Sequence, residues 1–141
     1  MATTRQAHTV WEGNLIEGEG VVTFDSSGIG EYAVSWPSRA EKANGKTSPE
    51  ELIAAAHSSC FSMALSNGLA KAGTTATRLN TQAEVTFQPG TGITGIHLTV
   101  QGEVPGLDEA GFVKAAEDAK ANCPVSQALT GTTITLSASL A

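Results

Sequence analysis

The sequence predicts an α+β fold built on antiparallel sheets. Three observations support this prediction: alternating segments with glycine-rich turns fill the first third of the chain, a long pattern of small and apolar residues fills the middle, and further alternating segments follow it. Alternation with a period of two is typical of half-buried strands, whereas apolar residues three and four positions apart are typical of helices. Strands grouped in runs favour an α+β fold over a doubly wound parallel one.

The first third contains three predicted strands, at residues 7–12, 20–24 and 31–36. The last of these alternates polar and apolar side chains, and the turns between the strands are short and rich in glycine, which favours antiparallel pairing. Residues 37–47 show no periodicity and are predicted to form a polar loop. Loops of this kind often carry functional side chains on a rigid scaffold.

A long helix is predicted from Ser48 to about Lys71. Ser48 can cap it, Pro49 suits its first position, and Glu51 completes an S-x-x-E capping box. Because most of its side chains are small or apolar and few are charged, we expect it to be central and packed on more than one side. Gly73 is predicted to end it.

The second half predicts a hairpin, a second helix and a final strand. The predicted elements are a strand at 76–88, a turn at 89–92, a strand at 93–103, a helix at 107–122, a helical turn at 124–129 and a strand at 132–140. No internal repeat, low-complexity tract or linker divides the chain. We therefore expect one domain over residues 1–141, the usual arrangement at this length.

The charge balance argues against some partners. The formal net charge is −6, and the eight Lys and Arg residues form no cluster, so neither nucleic acid nor an anionic membrane surface is an expected partner. No apolar run approaches the roughly 20 residues of a membrane span, and the first residues lack the apolar core of a secretion signal. A cytoplasmic location is expected. No glycine-rich nucleotide-binding motif is present.

The chain has two cysteines, Cys60 and Cys123. In a reducing cytoplasm they are either inert core thiols or a working redox pair. Cys60 lies 11 residues beyond the predicted helix start, about 16 Å along the axis, so the helix dipole does little to make it a thiolate. A nearby cation is needed for that. Arg39, in the polar loop, is favoured over Arg5 near the terminus and Arg78 at a strand start.

Glu50 has two interpretations. It is either a partner of the helix dipole in the first turn or the carboxylate that holds Arg39 in position through an ion pair. Glu50 and Cys60 are ten residues apart, which is about 15 Å along one helix. If both serve one site, Glu50 must come from a second copy of this helix, packed antiparallel in a homodimer.

Cys123 occupies a predicted helix N-cap followed by Pro124, a position that favours a thiolate and suits a resolving thiol. His57 precedes Cys60 by three residues, so a Cys–His dyad for acyl transfer is a second possibility. A buried histidine bonded to a backbone carbonyl is the simpler interpretation. A metal site made by Cys60, Cys123 and His57 lacks the ligand spacings of structural zinc.

Three segments together resemble the OsmC/Ohr family of thiol peroxidases. They are GKTSPEELIAAAHSSCFSMALS at residues 45–66, CPVS at 123–126 and WEG at 11–13. The sequence around Cys60 is more similar to the OsmC branch than to the Ohr branch. The resemblance implies antiparallel sheets wrapped around two central helices in an intertwined homodimer. It also implies a stress-defence enzyme that reduces organic hydroperoxides, and less efficiently hydrogen peroxide, to alcohols.

The resemblance further implies roles for individual residues. Cys60 matches the peroxidatic cysteine and Cys123 the resolving one, with a Cys60–Cys123 disulfide between them; Glu50 matches the carboxylate that pairs with the catalytic arginine, and Arg39 fits that arginine. The implied electron donor is a lipoylated protein, dihydrolipoamide or another thiol, and no cofactor is implied. Two alternatives stay open: a non-enzymatic stress-related binding protein and a Cys60/His57 thiol hydrolase.

Overall fold

The computed structural model describes residues 1–141 and has six strands and four helices. In chain order they are β1 (His8–Glu12), β2 (Glu19–Thr23), β3 (Glu31–Val34), α1 (Trp36–Ala40), α2 (Pro49–Lys71), β4 (Arg78–Gln88), β5 (Gly92–Glu103), α3 (Glu109–Asn122), α4 (Pro124–Ala128) and β6 (Ile134–Leu140). The predicted α+β order is confirmed, with α1 as an addition. The chain forms two compact units, Met1–Leu52 (the N-terminal unit) and Ile53–Ala141 (the C-terminal unit).

The N-terminal unit contains an antiparallel sheet in the order β1-β2-β3. Val10 of β1 pairs with Val21 of β2, and Val22 pairs with Tyr32 of β3. Gly20 lies under the Trp11 ring, since a Cβ there would stand 2.8 Å from the ring. Only glycine therefore allows this close approach of ring and strand.

Helix α1 corrects the prediction of a loop at residues 37–47 and of strand conformation at Trp36. Ser35 begins the helix with a capping box: its Oγ accepts a hydrogen bond from the Ser38 amide at 3.2 Å, and the Ser38 Oγ accepts one from the Ser35 amide at 3.0 Å. Pro37 suits the first turn because its ring presets a helical φ. Arg39 consequently lies in the last turn of a helix instead of an irregular loop.

Helix α2 has the predicted bounds. The Ser48 Oγ accepts a hydrogen bond from the Glu51 amide at 3.1 Å, and Glu51 itself accepts one from the Thr47 hydroxyl at 2.6 Å. Its end is marked by Gly73, whose φ of +90° belongs to the left-handed region.

Within one chain α2 buries a single stripe, not several faces as expected. Apart from Glu50 in the first turn, the buried residues of α2 are four apart: His57, Phe61, Leu65 and Leu69. A second stripe, spaced three and four residues apart, is exposed and consists mostly of small side chains: Ala56, Ser59, Met63, Ser66 and Ala70. We call it the exposed α2 stripe.

The C-terminal unit contains a sheet in the order β4-β5-β6. Strands β4 and β5 form the predicted antiparallel hairpin, with a register shift between Thr86 and Phe87. Strand β6 pairs with β5 in parallel, Leu98 lying beside Leu136, so this sheet is mixed instead of antiparallel throughout. The reason is the connection through α3 and α4. It returns the chain to the end of the sheet at which β5 begins, so that β6 runs in the same direction as β5.

The core of the C-terminal unit joins α2, β5 and α3. Its fully or almost fully buried members are Phe61, Leu65, Leu69, Leu98, Val100, Val104, Phe112, Ala116, Ala119 and Cys123. Cys123 is therefore part of the packed interior. None of the helices combines the length and the apolar character needed to cross a bilayer.

Candidate active site

The two cysteines meet in the C-terminal unit. Cys60 lies in the middle of α2 and Cys123 at the junction of α3 and α4, and their sulfurs are 3.0 Å apart. Both are free thiols, with Cys60 half-buried and Cys123 buried. A disulfide bond is about 2.05 Å long, so the sulfurs must approach each other by about 1 Å to form one. The proximity expected for this pair is present.

Helices α3 and α4 hold Cys123 in place at their junction. Its amide donates to the Ala119 carbonyl at 2.8 Å and so ends α3, while its own carbonyl accepts from the Gln127 amide at 3.0 Å and so begins α4. Pro124 occupies the first position of α4, as predicted, and the Cys123 side chain makes no capping hydrogen bond to that helix. The thiol instead donates to Cys60.

The surroundings of Cys60 favour the neutral thiol. Burial raises the pKa of Cys60, and the hydrogen bond that its thiol shares with the Cys123 thiol raises it further, whereas a hydrogen bond from the Val125 backbone amide lowers it. The net direction is upward. Because the thiolate is the nucleophile, these groups alone do not activate Cys60, which agrees with the need for a cation inferred from the sequence.

Arg39 and Glu50 form a two-pronged ion pair in the N-terminal unit. The Arg39 Nε donates to both carboxylate oxygens, at 3.0 and 3.1 Å, and its Nη2 donates to Oε2 at 2.9 Å. Glu50 is only 7% exposed, while 31% of the Arg39 side chain is accessible. The pairing expected for Glu50 is thus present, and it fixes the plane of the guanidinium.

His57 lies in the C-terminal unit and bonds to a residue to which the sequence analysis gave no role. Its Nε2 is 2.7 Å from the Ser126 Oγ of α4, and the ring is completely buried. The expected carbonyl partner is replaced by a hydroxyl, and no hydrogen bond joins His57 to Cys60. The sequence holds one signal for this contact, which is the spacing of the two residues from the cysteines. His57 precedes Cys60 by three residues, and Ser126 follows Cys123 by three.

The other ring nitrogen of His57 has no protein partner. Leaving a buried polar atom unpaired costs roughly 1–3 kcal/mol, and a charged ring in this place would cost more. Accordingly, burial lowers the pKa of His57. The imidazole is therefore neutral at physiological pH.

A groove of about 780 Å³ opens beside Cys60 between α2 and α3. Its lining is mainly apolar or small and includes Met63, Ala64, Gly68 and Ala115. The groove has room for an organic group next to the sulfur. The chain contains no cluster of three or more His, Cys, Asp or Glu side chains arranged to hold a metal ion.

Comparison with known proteins identifies relatives of this chain. A family model described as OsmC-like protein matches residues 42–137. The Peroxiredoxin OsmC of Escherichia coli strain K12 is 44% identical over 127 residues, which are 88% of this chain and 87% of that protein.

Solved structures share the fold. An OsmC-like protein from Mycoplasma pneumoniae superposes with a TM-score of 0.75 at 14% identity, over 99% of both chains. An organic hydroperoxide resistance protein from Elizabethkingia anophelis superposes with a TM-score of 0.71 at 25% identity, over 100% of both chains.

Proposed function

This chain belongs to the OsmC-like protein family, and from that premise we propose that it is a thiol-dependent peroxidase that reduces organic hydroperoxides to alcohols in stress defence. The observation that carries the proposal is the pair of free thiols with sulfurs 3.0 Å apart. A catalytic cysteine oxidised to sulfenic acid condenses with a thiol that it can reach, and this chain holds one beside it.

Cys60 is the attacking residue. Its thiolate attacks the distal oxygen of the hydroperoxide, the O–O bond breaks, and the sulfur keeps the hydroxyl as a sulfenic acid. The leaving alkoxide takes up a proton and departs as the alcohol. Cys123 then attacks the sulfenic sulfur, water leaves, and a Cys60–Cys123 disulfide closes. A dithiol reductant, such as dihydrolipoamide or a lipoylated protein, restores both thiols and becomes oxidised itself.

Arg39 supplies the cation for this chemistry, and Glu50 orients it. A guanidinium beside the sulfur stabilises the thiolate and donates hydrogen bonds to the developing alkoxide. The fork of hydrogen bonds to Glu50 supports this role, because it holds the guanidinium in one plane. Hydrogen bonds that are already in place need no reorganisation during the reaction.

The site is shared between two copies of the chain in a homodimer. Glu50 and Cys60 are ten residues apart on α2, about 15 Å along the helix axis, so Arg39 and Glu50 serve the Cys60 of the partner. The exposed α2 stripe supports this assembly, since spacing of three and four residues is that of a helix–helix seam. Small side chains in the stripe allow two helices to approach closely, and Met63, 71% exposed in one chain, becomes covered.

The groove beside Cys60 favours hydroperoxides with an organic group over hydrogen peroxide. The apolar part of its lining, which includes Met63, Ala64 and Ala115, can cover an alkyl or aryl group, and this burial contributes about 25 cal/mol per Å² of apolar surface. Hydrogen peroxide offers no such surface. The expected order of substrates is therefore organic hydroperoxide first and hydrogen peroxide second.

A peroxide-consumption assay tests the proposal. Wild-type protein is mixed with cumene hydroperoxide and dihydrolipoamide, and the concentration of remaining peroxide is measured over time. The same measurement is made with Cys60→Ser as the matched variant. We expect catalytic consumption by the wild type and none by Cys60→Ser. A binding protein would consume no peroxide in either form, whereas a thiol hydrolase would show ester cleavage that depends on Cys60.

A further inference from the structure

The hydrogen bond between His57 and Ser126 joins the same two segments as the sulfur pair. His57 precedes Cys60 by three residues on α2, and Ser126 follows Cys123 by three at α4. We propose that His57 and Ser126 are positioning residues for the resolving step: their hydrogen bond seats α4 on α2, so that Cys123 stays within reach of oxidised Cys60. This inference rests on the peroxidase function proposed above.

Helix α4 depends on such contacts for its position. It has five residues, Pro124–Ala128, and a helix of that length has little stability of its own in water. The contacts at Cys60, with the Cys123 thiol and the Val125 amide, hold the start of α4 against α2 at one point. A further contact about one turn away along α2, between His57 Nε2 and Ser126 Oγ at 2.7 Å, fixes the direction in which α4 lies.

The choice of histidine at position 57 supports a role in orienting α4. The other members of the buried α2 stripe are Phe61, Leu65 and Leu69, and an apolar side chain at 57 would continue the same packing. It would also avoid the unpaired Nδ1 of His57, which costs free energy. What the imidazole adds is one hydrogen bond with a defined length and direction, and such buried polar contacts specify a unique arrangement.

The resolving step is sensitive to small displacements of Cys123. In this step the Cys123 sulfur bonds to the Cys60 sulfur, the S–O bond of the sulfenic acid breaks, and the hydroxyl leaves as water with the Cys123 proton. A second hydroperoxide molecule competes by oxidising the sulfenic acid to sulfinic acid. The share of sulfinic acid therefore reports how well Cys123 is placed.

The test measures the two steps separately. Reduced protein is mixed with one equivalent of cumene hydroperoxide, quenched at intervals and analysed by intact mass, and sulfinic acid is counted after excess peroxide. We expect Ser126→Ala to slow disulfide formation about fivefold, as loss of one hydrogen bond allows, and to raise the sulfinic fraction. Its rate of sulfenic acid formation should stay within about twofold of wild type.

Ser62→Ala is the matched control, because the Ser62 Oγ makes a different hydrogen bond from α2, to Thr81 Oγ1 at 2.8 Å. It should leave both rates unchanged. His57→Asn, with a shorter side chain, should behave like Ser126→Ala, while His57→Gln, which carries an N–H near the Nε2 position, should recover most of the rate. If one hydrogen bond carries the effect, the double variant His57→Asn/Ser126→Ala is no slower than either single variant.

Three results would overturn the inference: an unchanged rate of disulfide formation in Ser126→Ala, equal slowing of both steps, or the same defect in Ser62→Ala. Each of these leaves peroxide reduction by the wild type intact and so spares the proposed function. Failure of the wild type to react with the hydroperoxide would overturn both proposals.

Discussion

The Cys123 thiol donates to the Cys60 sulfur across 3.0 Å, although the two residues are 63 positions apart in the chain. Helix α2 carries one sulfur, and the break between α3 and α4 carries the other. Because Cys123 is completely buried, solvent and large oxidants reach the pair mainly from the Cys60 side. The predictions that follow test the proposal that Cys60 attacks and Cys123 resolves.

Replacing Cys123 by serine should separate the two steps of the reaction. Cys123→Ser retains the attacking thiol, so one equivalent of organic hydroperoxide should still be reduced. The sulfenic acid then has no second thiol, and excess peroxide should convert it to sulfinic and sulfonic acids, seen as mass additions of oxygen. Cys60→Ser serves as the control and should gain none. Full resistance of Cys123→Ser to overoxidation would contradict the two-thiol mechanism.

Replacing Arg39 should shift the pH dependence of Cys60. Burial raises the pKa of the Cys60 thiol, and the group reacts only when deprotonated, so the rate of peroxide reduction should rise with pH and level off above that pKa. If a guanidinium lowers this pKa in the assembled protein, Arg39→Met moves the midpoint to higher pH. Each unit of that shift lowers the rate near neutral pH about tenfold.

The other two arginines provide the control for this experiment. Arg5→Met and Arg78→Met remove the same charge from exposed positions and should leave the pH profile in place. Stopped-flow measurements from pH 5 to 10 with cumene hydroperoxide supply the midpoints. Equal midpoints for wild type and Arg39→Met would exclude Arg39 as the activating cation.

Replacing Arg39 should lower the free energy of unfolding more than replacing Glu50 does. Arg39→Met leaves the Glu50 carboxylate, 7% exposed, without its cation, and an unpaired buried charge costs about 3–5 kcal/mol. Glu50→Gln leaves an arginine that is 31% exposed and can turn toward water, so its cost should be about 1 kcal/mol. Urea unfolding at one fixed protein concentration measures both values, and a larger cost for Glu50→Gln would reverse the interpretation.

Local signals were sufficient for most of the fold. The cap at Ser48 and the small-residue pattern predicted α2 to within one residue at each end, because capping and periodicity act over a few neighbouring residues. Helix α1 was missed because the alternation of β3 continues through Trp36 in the sequence. The two serines at 35 and 38 form a capping box there, and the helix they start overrides the alternation.

Longer-range relationships could not be predicted in the same way. Strand direction is not encoded by alternation, so the parallel pairing of β6 with β5 followed only from the path of the chain through α3 and α4. The bond between His57 and Ser126 spans 69 residues, and neither residue alone distinguishes a core polar group from a positioning one. By contrast, the Arg39–Glu50 pair was predictable, since both residues border the same short segment.

His57 should make the protein less stable in acid. Burial lowers the pKa of His57 below its ordinary value of 6.5, so the unfolded chain takes up this proton at a higher pH than the folded chain does. The stability linked to His57 is therefore complete above about pH 6.5 and is lost as the pH falls through the lowered pKa. Urea unfolding of wild type and His57→Gln at pH 7.5 and 5.0 isolates the contribution. The loss of unfolding free energy on acidification should be smaller in the variant. Equal losses would mean that the pKa of His57 is the same in the folded and the unfolded chain.

Mixed dimers should reveal whether the site is shared. If Arg39 of one protomer serves Cys60 of its partner, a dimer of one Cys60→Ser chain and one Arg39→Met chain contains one complete site, since the first chain supplies the arginine and the second the thiol. Each variant alone has no complete site. Refolding the two chains together at equal amounts should yield about half of the dimers as hybrids, each with one of the two wild-type sites.

The expected result is recovery of about a quarter of the wild-type peroxidase rate per dimer, because half of the dimers carry one of two sites. Adding Ser59→Glu to both chains places like charges in the exposed α2 stripe, so recovery should fall together with the dimer fraction in sedimentation velocity. Ala110→Glu, an equal charge change at an exposed position of α3, should leave both unchanged. A site complete within one chain predicts no recovery in any mixture, because the only chain with Cys60 then lacks its own Arg39.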